Sequence, residues 1–241
     1  MDDIQKQILE LVKKADVPDP VHYVDYAVEE LAMGTLNNFI KTCDYCEGCS
    51  GGTKSLVAGN PHAAVMIIGE YVLQSQCEEE YVTPYEGAAE GDLLQDVLDE
   101  LHVNPKQLLW MNVVNCFTHK TVNGKKLKRA PKTSERENCQ TYIDYAIDAF
   151  KPLYIIMLGN IAMNVFKSGV VGKERGEFFM VRDQIPAMPT HSPATIQQMI
   201  ENENELAEDL YEDLKEDIKK VFLDIQENYP DSDVLLEKIS K

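Results

Sequence analysis

Residues 63–70 of the chain are AAVMIIGE. This continuous apolar run has the length of a strand and ends in a glycine and an acid, which is typical of a strand covered on both faces in a parallel sheet. Two further runs have the same character, QLLWMNVVN at 107–115 and PLYIIMLGN at 152–160. Amphipathic helical patterns lie between them, GDLLQDVLDELHV at 91–103 and NCQTYIDYAIDAF at 138–150. The alternation predicts a three-layer α/β/α fold with a central, mostly parallel sheet of about four strands.

Further elements flank this alternating unit. Apolar residues recur at helical spacing over residues 3–15 and 20–41, which predicts two N-terminal helices. Residues 176–185 favour one or two more strands. We interpret AMPTHSPATI, residues 187–196, as a final strand end followed by a loop.

The C-terminal segment, residues 201–241, is strongly acidic. It holds fourteen Asp or Glu against five Lys, so half of the chain's net charge of −18 lies there. A narrow apolar stripe runs along its predicted helix and consists of Leu206, Leu210, Leu214, Ile218, Val221 and Ile225. Such a stripe favours a helix packed on its own domain, with a protein partner for the helix as the alternative. We expect residues 1–200 to form the α/β domain and this segment to form an acidic helical extension.

Composition describes an ordinary globular chain of one domain with appendages. The 241 residues are 44% hydrophobic, and the first residues are polar with a helical pattern. No window approaches the roughly 18 consecutive apolar residues of a membrane-spanning helix. We therefore expect a cytoplasmic monomer without a signal peptide and without membrane contact.

One basic segment stands against the acidic background. Residues 119–136, HKTVNGKKLKRAPKTSER, contain seven Lys or Arg and one Glu. The net charge of −18 argues against a generally basic nucleic-acid binder, but attraction of a polyanion depends on the local field. The segment therefore predicts either a contact with phosphates or a solvated surface insertion.

Four of the six cysteines fit a metal site, namely Cys43, Cys46, Cys116 and Cys139. The first two form a C-x-x-C pair, the third follows the run at 107–115, and the fourth lies at the start of a predicted helix. Thiolates from three distant parts of a chain can bind one iron–sulfur cluster or one zinc ion, and thiols stay reduced in the cytoplasm. Cys49 could replace Cys43 as a ligand, and Cys77 is then surplus.

The ends of the apolar runs predict where a ligand binds. In open parallel sheets, ligands bind at the carboxyl ends of the strands. Gly69 and Glu70 end the first run, Asn112 lies near the end of the second, and Gly159 ends the third. We therefore expect these four residues near one rim of the sheet.

Short motifs follow one another in an order that points to a known family. They include Pro84, Tyr85 and Gly87 before Leu93 and Leu94, Asn112 before Cys116, Arg129 and Pro131 before Cys139, Leu158 and Gly159 before Ala162, and Arg175 and Gly176 before His191. Together with the C-x-x-C pair and the Gly-Glu strand end, this order resembles the uracil-DNA glycosylase superfamily. The likeness is greatest to its iron–sulfur family 4 enzymes and their phage-type relatives, and it runs from about Cys43 to Thr195.

The resemblance implies an enzyme that flips uracil out of DNA and hydrolyses its N-glycosidic bond in base excision repair. Asn112 would face uracil N3 and O4, and Tyr85 would stack on the base where the family has Phe. Glu70 would orient or activate the attacking water. His191 would donate a hydrogen bond near uracil O2 as negative charge develops on the leaving base. Gly69 would let the backbone pass close to the sugar or base.

The resemblance also implies a cofactor and a DNA surface. The four cysteines would hold a structural [4Fe–4S] cluster, with zinc as the alternative. Ile196 would wedge into the base stack as the duplex bends. The basic segment, whose GKKLK stretch is an insertion relative to the family, adds Lys125, Lys126, Lys128 and Arg129 as the expected DNA contacts. The expected partner is uracil-containing DNA.

Departures from the family pattern leave other functions open. Where the family continues Gly-Glu with a small residue, Pro and Gly, residues 69–81 are GEYVLQSQCEEEY, and HSPA replaces the usual His-Pro. The chain could be a catalytically weak or inactive member that binds DNA or a protein, or a glycosylase for another modified base. An unrelated α/β protein with a four-cysteine zinc site is a third alternative. Taken singly, Asn112, Glu70, Tyr85 and His191 also fit as turn, cap, core and loop residues.

Overall fold

Strands and helices alternate through most of the part of the chain that the computed structural model describes, residues 10, 20–46, 52–230 and 234. The strands are β1 (Lys54–Ser55), β2 (Ala58–Gly59), β3 (Val65–Tyr71), β4 (Tyr81–Val82), β5 (Leu108–Val114), β6 (His119–Val122), β7 (Lys125–Lys128), β8 (Tyr154–Leu158), β9 (Phe179–Val181) and β10 (Ile185–Thr190). The helices are α1 (Pro20–Thr42), α2 (Ala89–Glu100), α3 (Thr133–Phe150), α4 (Asn160–Met163), α5 (Val171–Glu174), α6 (Pro193–Glu201) and α7 (Ala207–Asn228).

Six strands form the central sheet in the order β2-β5-β3-β8-β10-β9. The four inner strands are parallel, and the two edge strands are antiparallel to their neighbours. The apolar runs at 63–70, 107–115 and 152–160 correspond to β3, β5 and β8. The predicted α/β fold with a mostly parallel sheet of about four strands is therefore confirmed.

Alternation along β3 divides the core into two layers. Val65 and Ile67 join an apolar cluster with side chains of α2 and α7. Met66 and Ile68 join a second cluster with side chains of α1 and α3. All four side chains are fully buried. Because full burial of such a side chain contributes about 1.5–3 kcal/mol, the two layers together fix the position of β3.

The acidic helix α7 packs on the sheet. Its apolar stripe contributes Leu214, Ile218, Val221 and Ile225 to the first cluster, and all four are fully buried. Leu206, just before the helix, is 54% exposed. The prediction that the stripe packs on its own domain is therefore confirmed from Leu214 onward, and the division of the chain at residue 200 stays a prediction.

The N-terminal part of the chain agrees with the sequence pattern where it is described. The helix predicted over residues 20–41 is α1. The helix predicted over residues 3–15 lies outside the described residues, apart from Glu10. Within the described part of the chain, no helix is both long enough and apolar enough to span a membrane.

The segment predicted as a final loop and the basic segment are both regular structure. Residues 193–201 form α6, which begins with a proline at its first position, a common helix start because proline needs no hydrogen-bonded N–H there. The basic segment forms an antiparallel hairpin of β6 and β7. Its turn residues Asn123 and Gly124 have φ of 50° and 76°, as the two central residues of a type I′ turn require. Lysine side chains therefore project from an ordered ribbon.

Candidate active site

The carboxyl ends of the inner strands form one rim. β3 lies between β5 and β8, with Gly69 opposite Asn112 and Ile68 opposite Met157. Gly159 directly follows β8, and His191 directly follows β10. The predicted rim residues therefore lie at neighbouring strand ends, as the parallel arrangement requires.

Gly69 is enclosed by two of the predicted site residues. A β-carbon at this position would collide with Asn112 Oδ1 and would lie 2.9 Å from the Tyr85 hydroxyl. Only a residue without a side chain lets the amide and the phenol approach the backbone of β3 from two sides. The structure thus brings Tyr85 and Asn112, which follow Gly69 by 16 and 43 residues in the sequence, to the same point as Gly69.

Asn112 is buried, with 3% of its surface exposed. Its Nδ2 donates a 3.0 Å hydrogen bond to the hydroxyl of Ser55, which follows the cysteine-containing turn. This bond directs Oδ1 toward Gly69. The amide therefore presents an acceptor at the rim in a fixed orientation.

Tyr85 is held in an unusual backbone conformation. Its φ is 67°, and a β-carbon on Gly91 would collide with its carbonyl oxygen. Burial raises the pKa of its hydroxyl well above the ordinary value, and the negative charges of Glu70 and Glu90 raise it further. The side chain is 7% exposed and stays protonated, so it offers an aromatic surface and a neutral hydroxyl.

Glu70 lies at the rim with its carboxylate half-buried. Its Oε1 accepts a 2.9 Å hydrogen bond from the backbone N–H of Ile161, at the start of α4. A β-carbon on Gly159, whose φ is 101°, would lie 2.6 Å from Glu70 Oε1. Burial raises the pKa of Glu70, while the Ile161 N–H, the charge of Lys128 and a hydrogen bond with Ser192 oppose the rise.

The altered loop after Glu70 binds the basic hairpin. Tyr71 is half-buried, and the Lys128 ammonium lies 5.1 Å from the centre of its ring. Gln74 Nε2 donates to the Lys126 carbonyl at 3.3 Å, and Gln74 Oε1 accepts from the Lys128 N–H at 2.7 Å. Tyr71, which replaces the family's small residue, and Gln74, further along the loop, thus hold the hairpin beside the rim.

His191 contacts the acidic helix rather than another rim residue. Its Nε2 lies 3.3 Å from Asp213 Oδ2 on α7. The imidazole is 15% exposed. The sequence indicated the histidine, but nothing in the local pattern indicated this acidic neighbour, 22 residues later.

The four predicted cysteine ligands come together in one region of the fold, where the turn after α1 meets α3. Burial raises the pKa of the Cys139 thiol to about 12, and the charges of Cys116, Cys43 and Cys46 add to the rise against a hydrogen bond from Asn115. Three of the four thiols are buried. Charge coupling of this kind requires that the four cysteines share one region of the fold.

The arrangement of these thiols in the structure is not that of a closed metal site. Among the described residues, no group of three or more His, Cys, Asp or Glu is placed to hold a metal ion. The ammonium of the buried Lys54 donates to Cys116 Sγ at 3.4 Å and to the Cys43 carbonyl at 2.7 Å. The chemistry of the donor set, four thiols from three parts of the chain, nevertheless fits an iron–sulfur cluster or zinc. Cys49 lies outside the described residues.

One predicted DNA contact requires correction, and a second, that of Arg129, stays a prediction. Ile196, on α6, has no exposed surface and packs in the core, so it cannot wedge into a base stack in this conformation. The guanidinium of Arg129 makes a two-pronged ion pair with Glu135, at 2.7 and 2.6 Å. Arg129 therefore anchors the hairpin to α3. Lys125 and Lys126 are exposed, as a phosphate contact requires.

Several residues of the site were not predicted from the sequence. Ser55, Ile161, Ser192 and Asp213 act through contacts between distant segments, which a local pattern does not report. One missed feature did carry a signal. Asn-Gly between two short alternating runs is a strong indication of a hairpin, and its two exposed apolar side chains, Val122 and Leu127, accompany the lysines on the ribbon.

The substitution Glu70→Gln should stabilise the protein at pH 8. Folding raises the pKa of Glu70, so the charged carboxylate destabilises the folded protein. This loss of stability is absent at a pH below the pKa in the unfolded chain and is complete at a pH above the pKa in the folded protein. Glutamine removes the charge and keeps an acceptor for the Ile161 N–H. We expect urea unfolding at pH 8 to show a gain on the order of 1 kcal/mol that disappears toward pH 4.

Glu205→Gln, at an exposed position before α7, is the matched control and should change stability little at either pH. A Glu70→Gln variant that is less stable than the parent at pH 8 would contradict the raised pKa.

Comparison with known proteins agrees with this geometry. The family model described as the uracil DNA glycosylase superfamily matches residues 56–215, about two thirds of the chain. The match includes the rim residues and the first part of α7. No curated protein matches the chain. The extent of the family match, together with the parallel sheet and its rim, means that the chain belongs to the uracil DNA glycosylase superfamily.

Proposed function

We propose that the protein removes uracil from DNA by hydrolysing the N-glycosidic bond. The observation that carries the proposal is the meeting of Asn112, Tyr85 and Gly69 at the end of β3, next to the Glu70 carboxylate. An amide, an aromatic ring and an acid at one point can read a planar base and act on the bond to its sugar. Membership of the superfamily supports DNA glycosylase chemistry, and uracil is our choice of base.

The amide favours uracil over cytosine. Asn112 Oδ1 can accept a hydrogen bond from uracil N3–H, and the second hydrogen on Nδ2 can go to O4 while the first stays with Ser55. Cytosine carries an acceptor at N3 and a donor at N4, so each contact would be mismatched. A site that leaves buried polar groups unpaired with the wrong base discriminates strongly against it.

The acid and the histidine fit the charges of the transition state. Cleavage builds positive charge on the sugar and negative charge on the departing base. The Glu70 carboxylate, held by the Ile161 N–H, would stabilise the sugar cation and orient the attacking water. His191 would donate a hydrogen bond toward the negative charge on the base. The charge of Glu70 contributes to the raised pKa of Tyr85, so the two groups act at the same end of β3.

A catalytically weak or inactive member is the second candidate. One observation favours it, the burial of Asn112 and Tyr85, of which only 3% and 7% are exposed. Little of either side chain is open to a base in this arrangement. A weak or inactive member would bind DNA through the hairpin without cutting it, or would act on another modified base.

Excision of uracil from a labelled oligonucleotide tests the function. We expect protein purified without oxygen to release uracil from single- or double-stranded DNA, detected as strand cleavage after alkali. His191→Ala and Asn112→Ala should each reduce the single-turnover rate by about a hundredfold or more, because each removes a preorganised hydrogen bond. Asn38→Ala, which changes an exposed amide on α1, is the control and should leave the rate unchanged.

Uracil-containing DNA that is bound but left intact by the parent protein would contradict the enzyme and favour the second candidate. Cleavage that survives Asn112→Ala would mean that another group reads the base.

We also propose that the β6–β7 hairpin binds the DNA backbone. Lys125 and Lys126 are exposed on an ordered ribbon, and Gln74 ties that ribbon to the loop after Glu70. A local positive surface next to the rim would attract DNA in spite of the net charge of −18. Lys128 belongs to the rim itself, since it lies over Tyr71 and its charge lowers the pKa of Glu70.

The double substitution Lys125→Glu with Lys126→Glu should weaken DNA binding and reduce its salt dependence. Each lost phosphate contact lowers the slope of log K against log salt by about 0.7–0.9. Fluorescence anisotropy at several salt concentrations measures both quantities. Lys151→Glu, an exposed lysine at the far end of α3, is the control. An unchanged slope in the double variant would exclude the hairpin from the DNA surface.

For the cofactor, we propose that Cys43, Cys46, Cys116 and Cys139 bind a [4Fe–4S] cluster, with zinc as the alternative. Their shared region of the fold and the thiol donor set support this assignment. When bound, the group would supply structural support, because its ligands lie in the turn after α1, after β5 and in α3. The Lys54 ammonium at Cys116 would offset part of the negative charge of four thiolates. The reduced thiols suit the cytoplasmic location that we also propose.

Protein purified without oxygen should be brown and should contain iron and sulfide in equal amounts. Cys139→Ser should lose most of the iron and the visible absorbance and should unfold at a lower temperature. Cys77→Ser is the matched control, because Cys77 is not one of the four proposed ligands and its thiol contacts Gln74, and it should keep both. A colourless protein with one bound zinc would support the alternative, and a protein without metal would contradict both.

A further inference from the structure

The structure points to a second role for the acidic helix α7 at the predicted active site. Asp213 lies on the first half of this helix, and its Oδ2 is 3.3 Å from His191 Nε2. Most of the other described acids of the tail are exposed. Asp213 instead contacts a candidate catalytic side chain.

The Asp213 carboxylate is fixed by an arginine. Arg175 lies 3.1 Å from Asp213 Oδ1 through one terminal nitrogen and donates to the Asp213 carbonyl at 3.0 Å through the other. One carboxylate oxygen is thus held by the guanidinium, and the other faces the imidazole. An ion pair that is anchored at both the side chain and the backbone loses less entropy than a free surface pair.

The same arginine connects the helix to the strand that carries the histidine. Arg175 makes two 2.9 Å hydrogen bonds to Asp217, which is 2% exposed. Asp217 in turn accepts a 2.6 Å hydrogen bond from the hydroxyl of Thr190, the residue before His191. The contacts therefore run from Thr190 through Asp217, Arg175 and Asp213 back to His191.

Apolar packing sets the position of this network. Leu214 follows Asp213 directly, Ile218 follows Asp217 directly, and both are fully buried against the sheet. The helix can neither slide nor rotate without exposing them. Asp213 is consequently held at a fixed place relative to β10 and His191.

We propose that Asp213 is a positioning residue that orients the His191 imidazole for catalysis, an inference that rests on the proposed glycosylase function. With Nε2–H donating to Asp213, the remaining ring nitrogen, Nδ1, faces the substrate. Nδ1 can donate to the oxygen of the departing base only in the form of the ring that carries a hydrogen on both nitrogens. No proton passes to Asp213 in this scheme.

A double-mutant cycle tests whether Asp213 acts through His191. We expect Asp213→Ala to reduce the single-turnover excision rate about tenfold to a hundredfold and to cause no further loss in the His191→Ala background. Asp213→Glu should recover part of the rate. Asp209→Ala, which removes an exposed acid one turn earlier on α7, is the control and should have no effect. An equal loss in both backgrounds, or no loss in the parent, would overturn the proposal.

The nitrogen NMR signals of the imidazole provide a readout that does not depend on activity. In the parent protein, Nε2 of His191 should be the protonated nitrogen, and Asp213→Ala should shift its resonance while the resonances of the other histidines stay in place. If the parent releases no uracil, the proposed function fails, and this spectrum still decides whether Asp213 orients the ring. An unchanged His191 spectrum in Asp213→Ala would overturn the inference.

Discussion

The parallel alignment of β3 between β5 and β8 is the constraint on which the rest of the structure depends. It places Gly69 opposite Asn112 and brings the end of β8 alongside. The alignment is fixed because side chains of β3 alternate between two apolar layers, and a shift by one residue would exchange the two sets. Everything at the rim follows from this register, including the close approach of the amide and the phenol to the backbone.

At the rim, burial of Glu70 and the groups around it have opposite effects on the pKa of its carboxyl. Glu70 is buried enough for its pKa to rise, yet the Ile161 N–H and Lys128 keep the charged form accessible. Tyr85 is kept neutral by its burial and by that same carboxylate. A partly buried carboxylate interacts more strongly with a nearby charge than one in bulk water does.

The sequence was sufficient for the sheet and for much of the rim, because apolar runs and strand ends are local features. AAVMIIGE predicted both β3 and the position of Glu70, and the order of the motifs predicted the family. What the sequence could not supply depends on distant contacts. Ile196 follows the histidine in sequence but faces the core, and the ion pair of Arg129 with Glu135 was not predicted. The contact between Asp213 and His191 joins a strand end to a later helix, and no periodicity reports such a pairing.

The packing of α7 determines how the chain can be shortened. A protein cut after residue 200 would lose the helix that covers Val65 and Ile67, leaving a broad apolar surface on one face of the sheet. Contiguous exposed apolar surface of that kind promotes aggregation. The same cut would leave Arg175 without its two carboxylate partners. A tail whose acidic composition is that of a solubilising appendage is thus a poor place for truncation, and a loss of function in a shortened protein would say nothing about the rim.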